Sequence, residues 1–153
     1  MKIFIITICN KNNDSINKFI EKYILLIEKF YKIKLINISF KNNNTKDNNY
    51  EKEYKKALSI IKPDSVLIAL DENGQNYTSM QFSKSIIKWK ENFSNLYFLI
   101  GGPNGLPDDV KNSADEIVSL SKFTFPHLLA KVILIEQIYR SICIMNNHPY
   151  HRA

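Results

Sequence analysis

Apolar residues recur along this chain in two rhythms that alternate: short unbroken runs of strand length, and stripes at helical spacing. The run 3–9, rich in β-branched residues, predicts a first strand. Asp14 or Ser15 then caps a helix whose apolar positions Ile16, Phe19, Ile20, Tyr23, Ile24 and Ile27 share a face. Residues 33–40 predict a second strand, and the Asn/Lys-rich stretch 41–49 is too polar to pack, which makes it an exposed loop. Helix returns over 51–61. After the Pro63-Asp64 break, residues 66–70 form a fully apolar strand suited to the middle of a parallel sheet. A loop over 71–77 leads to a helix opened by Thr78 or Ser79 and running through Glu91, with Phe82, Ile86 and Trp89 inward. Residues 96–100 give the next buried strand, which runs straight into GGPNGLP. A brief helix over 108–114, a last strand over 117–120 and the loop SKFTFPH follow. Pro126 then fits the first turn of a helix reaching about Met145, before the polar tail NNHPYHRA.

Strands alternating with helices predict an α/β fold, a mainly parallel sheet with helices on both faces, in which ligands bind at the carboxyl ends of strands. Three loops stand at such ends: 71–77, 101–107 and 121–125. The last helix differs from the others because Leu128, Leu129, Val132, Ile133, Leu134, Ile135, Ile138, Tyr139, Ile142, Cys143 and Ile144 cover nearly its whole circumference. A helix apolar all round is buried on more than one side, which in so small a chain predicts a subunit interface, with Ile135 and Ile142 as interface-facing positions.

Length and composition bound this picture without changing it. A chain of 153 residues predicts one domain, 1–153, large enough to bury a core, and 44% hydrophobic with 24% charged residues are the proportions of a soluble globular protein. No apolar run approaches the roughly 20 residues of a membrane-spanning helix. The start, MKIFIITICNKNN, passes directly into a periodic helix and reads as mature structure, so the expected location is the cytoplasm. Cys9 and Cys143 read as buried thiols rather than a disulfide scaffold.

The net charge of +6 points to a polyanionic partner, and all of it is N-terminal: residues 1–60 carry 12 Lys against 6 acids, while residues 61–153 carry 9 basic and 9 acidic groups. The heavy use of Lys, Asn and Ile is equally what an AT-rich coding sequence produces, so charge alone does not decide for nucleic acid. Of the 21 basic residues 19 are Lys, and the two arginines, Arg140 and Arg152, fall in the last 14 positions. Either their placement is chance, or those positions need a planar donor for phosphate or carboxylate.

The glycines of Gly101-Gly102-Pro103-Asn104-Gly105 let a backbone approach a ligand, or merely make a turn. The segment lacks a Gly-Lys-Ser/Thr ending and GxGxxG spacing, which argues against a nucleoside triphosphatase or a dinucleotide site. His127, His148 and His151 all lie in the last 27 residues. No third thiolate or carboxylate ligand stands near His148 and His151, and Pro149 breaks a helical presentation, so no metal is expected.

Taken together, FLIGGPNGL, LSKFTFPH and LIEQIYRSICIMNNHPYHR resemble the ribosomal large-subunit pseudouridine N3-methyltransferase family of the SPOUT superfamily. The resemblance covers the whole length, is most specific over 66–153, and includes Leu70-Asp71-Glu72-Asn73-Gly74 where the family has a Leu-x-x-x-Gly loop. One departure is Cys9-Asn10, where the family usually has a glycine after the first strand. The resemblance implies a deep C-terminal trefoil knot, against the usual rule that chains do not thread loops. It implies S-adenosylmethionine as cofactor, held by Leu70, Gly102, Ser121, Lys122, Phe123, Thr124, Phe125 and Pro126. It implies methylation of N3 of a pseudouridine in 23S ribosomal RNA, on the ribosome, by a homodimer in which one chain's tail faces the partner's cofactor. His148, His151 and Arg152 are then the candidates for proton removal and uracil orientation, and Arg140, Tyr150 and Arg152 for RNA contact, with the tail acting on RNA rather than on folding. The alternatives are a SPOUT methyltransferase acting on transfer RNA and a non-catalytic RNA-binding or ribosome-associated protein.

Overall fold

The structure is a computed structural model that describes residues 1–10, 13–40 and 50–151. The expected loop 41–49 and Arg152 lie outside the described residues. Five parallel strands, β1 (Lys2–Ile8), β2 (Lys32–Ile38), β3 (Ser65–Asn76), β4 (Asn95–Ile100) and β5 (Glu116–Ser119), form one sheet in the order β2-β1-β4-β3-β5. The helices are α1 (Asp14–Glu28), α2 (Glu51–Ser59), α3 (Ser79–Asn92), α4 (Asp108–Asn112) and α5 (His127–Met145).

Strand side chains alternate between faces, and the core divides accordingly. Ile3, Ile5, Val66, Ile68, Leu96 and Phe98 pack under α1, α3 and α5, whereas Ile6, Ile8, Leu67, Ala69, Tyr97 and Leu99 pack with Tyr54 and Ala57 of α2 and Val110 of α4. Both faces of the central strands are therefore apolar, as their unbroken runs require. No helix of the described residues is long and apolar enough to cross a membrane.

Helix starts follow local chemistry. Asn13, one residue before the expected caps, accepts the Ile16 amide at 3.0 Å and opens α1. Thr78 and Gln81 form a reciprocal capping box at α3. Cys9-Asn10 also has a structural account: the Asn10 side chain accepts the Phe40 amide at 2.7 Å and donates to the Phe40 carbonyl, clipping the end of β1 to the end of β2.

Two expectations change. Residues 71–76 are not a loop: β3 runs on through Asn76, with a register shift in which Leu70 and Gln75 both pair with Val118 of β5. The excursion has one enabling residue. A Cβ on Gly74 would stand 2.7 Å from backbone atoms of Ile117 and Val118, so only glycine lets the bulged strand close on its neighbour. The second change concerns α5. It lies between α1 and α3, and Leu134, Ile135, Ile138, Tyr139, Ile142 and Cys143 are buried in the chain's own core. Ile135 and Ile142 therefore do not face an interface. The outward apolar positions are Leu128, Leu129, Ile133 and Ile144, whereas Val132 packs against the chain's own core.

Candidate functional site

In a parallel sheet all carboxyl ends share one edge, and here side chains tie the segments at that edge together. Asp71 makes an ion pair of 2.8 Å with Lys111 of α4, just beyond the glycine loop. Burial alone would raise the Asp71 carboxyl, but the Lys111 ammonium and the Asn73 amide outweigh it and hold its pKa below the ordinary value. Glu72 accepts the Thr124 hydroxyl at 2.6 Å, and Asn76 donates to the Ser119 carbonyl at 3.3 Å, joining the end of β3 to the segment after β5. Leu70, Gly102 and the 121–126 segment are thus assembled at one edge.

The glycine loop is set by a residue that sequence reasoning missed. Tyr54 of α2, 2% exposed, donates its hydroxyl to the Gly105 carbonyl at 2.7 Å and accepts the Gly102 amide at 3.0 Å. Burial pushes its pKa up, with the Gly102 amide opposing. Gly105 closes the turn onto the Gly102 carbonyl at 3.0 Å with φ +74°, a left-handed conformation that favours glycine. A Cβ on Gly101 would meet the Gly105 carbonyl carbon at 3.0 Å, so that glycine is structural too. Gly102 differs from both: its Cβ would make ordinary contacts with Ile8 at 3.5 Å and Tyr50 at 3.6 Å, and the fold alone does not require glycine there.

The 121–126 segment is shaped by its own chain. Ser119 donates to the Ser121 carbonyl at 2.8 Å, and the Ser121 hydroxyl accepts the Phe123 amide at 3.0 Å. Lys122 and Thr124 are exposed, Phe125 is half-buried, and Phe123 is 79% exposed, an unusual setting for a large aromatic. Pro126 precedes the first turn of α5, rather than lying within it, and His127 opens the helix.

The tail begins where α5 ends. Asn147 takes φ +52°, its amide reaches the Ile144 carbonyl at 3.2 Å, and the His148 amide reaches that of Cys143 at 2.9 Å, so the chain reverses in a Schellman turn. The reversal lays Tyr150 back on the helix layer. Its hydroxyl is 2.9 Å from that of Tyr23 in α1 and donates to Glu136 at 3.0 Å, its ring packs against Tyr139, and the Arg140 guanidinium lies 4.9 Å over it. Arg140 also donates to Glu136 through Nε at 2.9 Å. Desolvation and these neighbours push the Tyr150 pKa well above its ordinary value. Arg140 and Tyr150, expected on RNA, are thus engaged within the chain, and the tail takes part in the fold, contrary to the expectation that it serves RNA alone. Glu136 was the overlooked member, although its spacing of four from Arg140 signals a helical ion pair. His148 accepts the Tyr150 amide on Nδ1 at 3.1 Å, and His151 buries an Nδ1 that has no hydrogen-bond partner among the described residues.

A family model described as "Predicted SPOUT methyltransferase" matches residues 1–151. The chain belongs to the SPOUT methyltransferase family. This SPOUT methyltransferase is 37% identical over 156 aligned positions, 99% of each chain, to the ribosomal RNA large subunit methyltransferase H of Legionella pneumophila. It is 39% identical over 148 positions, 94% of this chain and 96% of the relative, to the protein of that name from Campylobacter jejuni. With the one from Prochlorococcus marinus it shares 49% over 109 residues, 70% of this chain and 72% of the relative. Membership implies the knotted fold, with which the five-stranded parallel sheet between two helix layers agrees.

Proposed function

We propose that this SPOUT methyltransferase methylates N3 of a pseudouridine in large-subunit ribosomal RNA, using S-adenosylmethionine bound among segments 70–76, 101–107 and 121–126, as a cytoplasmic homodimer. What carries the reading is the tying of these three segments at one sheet edge, in a chain that aligns end to end with relatives named ribosomal RNA large subunit methyltransferase H. The residues fit that cofactor. Gly102 leaves the end of β4 without a side chain where the fold itself would accept one, Leu70 is half-buried and apolar, and the backbone of 121–126 offers amides and carbonyls to a purine.

The bound cofactor supplies a methyl group on a cationic sulfur whose charge is lost on transfer, so alignment rather than an oxyanion hole is the main demand on the protein. The acceptor N–H must still lose a proton. In neutral His148 the Tyr150 amide on Nδ1 leaves the ring proton on Nε2, which makes that edge a donor suited to orienting a carbonyl oxygen. His151, whose Nδ1 is buried, has its Nε2 edge as the candidate base. Arg140, Glu136 and Tyr150 hold the tail that carries both histidines, a positioning role, and Arg152 continues the tail as the candidate for holding phosphate or the uracil carbonyl.

The tail does not serve its own chain's cofactor segments. Tyr150 packs at the level of Tyr139, 12 residues beyond His127, or about 18 Å along the axis of α5 from the 121–126 segment. A partner chain brings the two together, and the outward apolar positions of α5 with exposed Phe19 on neighbouring α1 supply a face for it. The test is incubation of the purified protein and cofactor with ribosomes, followed by nucleoside analysis by mass spectrometry. The expected product is N3-methylpseudouridine in the large-subunit RNA. Methyl transfer to transfer RNA alone, or failure to bind the cofactor at all, would contradict the reading.

A further inference from the structure

Lys131 is the one charged residue in the first two turns of α5, and it is 3% exposed. Its ammonium donates to Asn37 Oδ1 at 2.9 Å, a neutral partner and thin compensation for a buried charge. Burial accordingly holds the Lys131 pKa below its ordinary value, the neighbouring Cys9 thiol opposing. Thr7 is fully buried, and its hydroxyl has no hydrogen-bond partner among the described residues. Thr7 and Asn37 are register partners on β1 and β2, and by alternation with Ile5 and Leu35 both stand on the face covered by α1 and α5. Asn37 itself is exposed, so the cluster reaches the surface at the carboxyl edge of the sheet.

We propose that Lys131, Thr7 and Asn37 form an anion seat that takes the carboxylate of the methyl donor's amino-acid arm. The proposal rests on the cofactor placement above and completes it. Thr7 pairs directly with Ile100 of β4, next to Gly101, and the position of a Gly102 Cβ lies 3.5 Å from the carbonyl oxygen of Ile8, so the cluster and the glycine loop share the end of β1. Lys131 follows Pro126 by five residues, about 8 Å along the chain of α5. If the purine lies against 121–126 and the sulfur near Gly102, as proposed above, the end of β1 that carries this cluster is within the span left for the other arm. That arm ends in a carboxylate, and the only cation among the residues already assigned to the cofactor, Lys122, is exposed. An ammonium, a hydroxyl and an amide are the donors that a carboxylate needs.

The test compares two ligands with the same adenosine and thioether: S-adenosylhomocysteine, which has the amino-acid arm, and 5′-methylthioadenosine, which lacks it. Calorimetry is run on the parent and on Lys131→Met and Thr7→Val, with melting curves alongside. Lys131→Met should weaken S-adenosylhomocysteine about tenfold or more and leave 5′-methylthioadenosine unchanged, as loss of a charge-assisted bond requires, with Thr7→Val showing a smaller loss of the same selectivity. Its melting temperature should hold or rise, because an apolar side chain of similar volume replaces a buried charge. Unchanged affinity for S-adenosylhomocysteine, or an equal loss for both ligands, would overturn the seat while the cofactor placement stands. A parent that binds neither ligand would overturn the placement and the seat together.

Discussion

The two ends of α5 are built by different means. At its start, backbone geometry dominates: a bulge that only Gly74 permits, a turn closed by Gly105, and a serine-shaped loop, tied by Asp71–Lys111 and Glu72–Thr124. At its far end a Schellman turn reverses the chain, and a side-chain network of Glu136, Arg140, Tyr150 and Tyr23 holds it. The first construction offers a ligand a fixed surface of amides and carbonyls. The second holds two histidines in place, about 18 Å away along the helix. Under the proposed function each end supplies only part of the site, and the separation is the reason for proposing a second chain.

Substitutions that uncouple the two ends test this division, the largest effect first. His151→Ala should lower methylation about 100-fold or more, the usual worth of a general base, with cofactor affinity unchanged in a titration. A parallel loss of cofactor binding would place His151 at the wrong end. Gly74→Ala should destabilise the fold by about 3 kcal/mol in chemical denaturation, since its Cβ meets backbone at 2.7 Å. Gly102→Ala, whose Cβ makes ordinary contacts, should melt like the parent and yet bind cofactor more weakly. Equal effects of the two substitutions on stability would erase the distinction between structural and ligand-facing glycines. At the far end, Tyr150→Phe removes a hydroxyl bonded to Glu136 and should cost about 1.5 kcal/mol, lowering the melting temperature and the methylation rate together while sparing cofactor affinity.

The smallest effect is a pH dependence. The Asp71 carboxyl titrates below its ordinary value in the fold, so its contribution to stability is complete above that ordinary value and is lost as pH falls through the lowered one. Denaturation curves at pH 6 and pH 3 should show a smaller loss for Asp71→Asn than for the parent. An identical loss would mean that the Asp71–Lys111 tie contributes nothing.

Much of this organisation was legible in the sequence because unbroken apolar runs and helical stripes encode strands and helices directly. The five strands and five helices of the described residues fall where those rhythms put them, apart from shifts at their ends and the extension of β3. That extension was hidden because DENGQN is polar and glycine-containing, the composition of a loop, and only the approach of β5 to Gly74 makes it a strand. The apolar circumference of α5 was assigned to a partner chain, whereas α1 and α3 of the same chain cover Ile135 and Ile142, and Leu129 stays exposed. Lys131 stands in the sequence as the one charge in the first two turns of α5, and Glu136 carries a local signal in its spacing of four from Arg140, whereas Tyr54 acts through Gly102 and Gly105, 48 and 51 residues away, a distance that no local pattern records.

The central claim, a site completed by two chains, is tested most directly by mixing two inactive proteins. Gly102→Val is chosen to impair the cofactor segments and spare the tail, and His151→Ala to impair the tail and spare the segments. Denatured together in equal amounts and refolded, half of the dimers should pair one chain of each kind, and each such dimer holds one intact site of two. The account predicts recovery to about a quarter of parental methylation from two preparations that are each nearly inactive. Activity no higher than that of the separate variants, in mixtures shown by mass spectrometry to contain the mixed dimer, would mean that each chain builds its site alone.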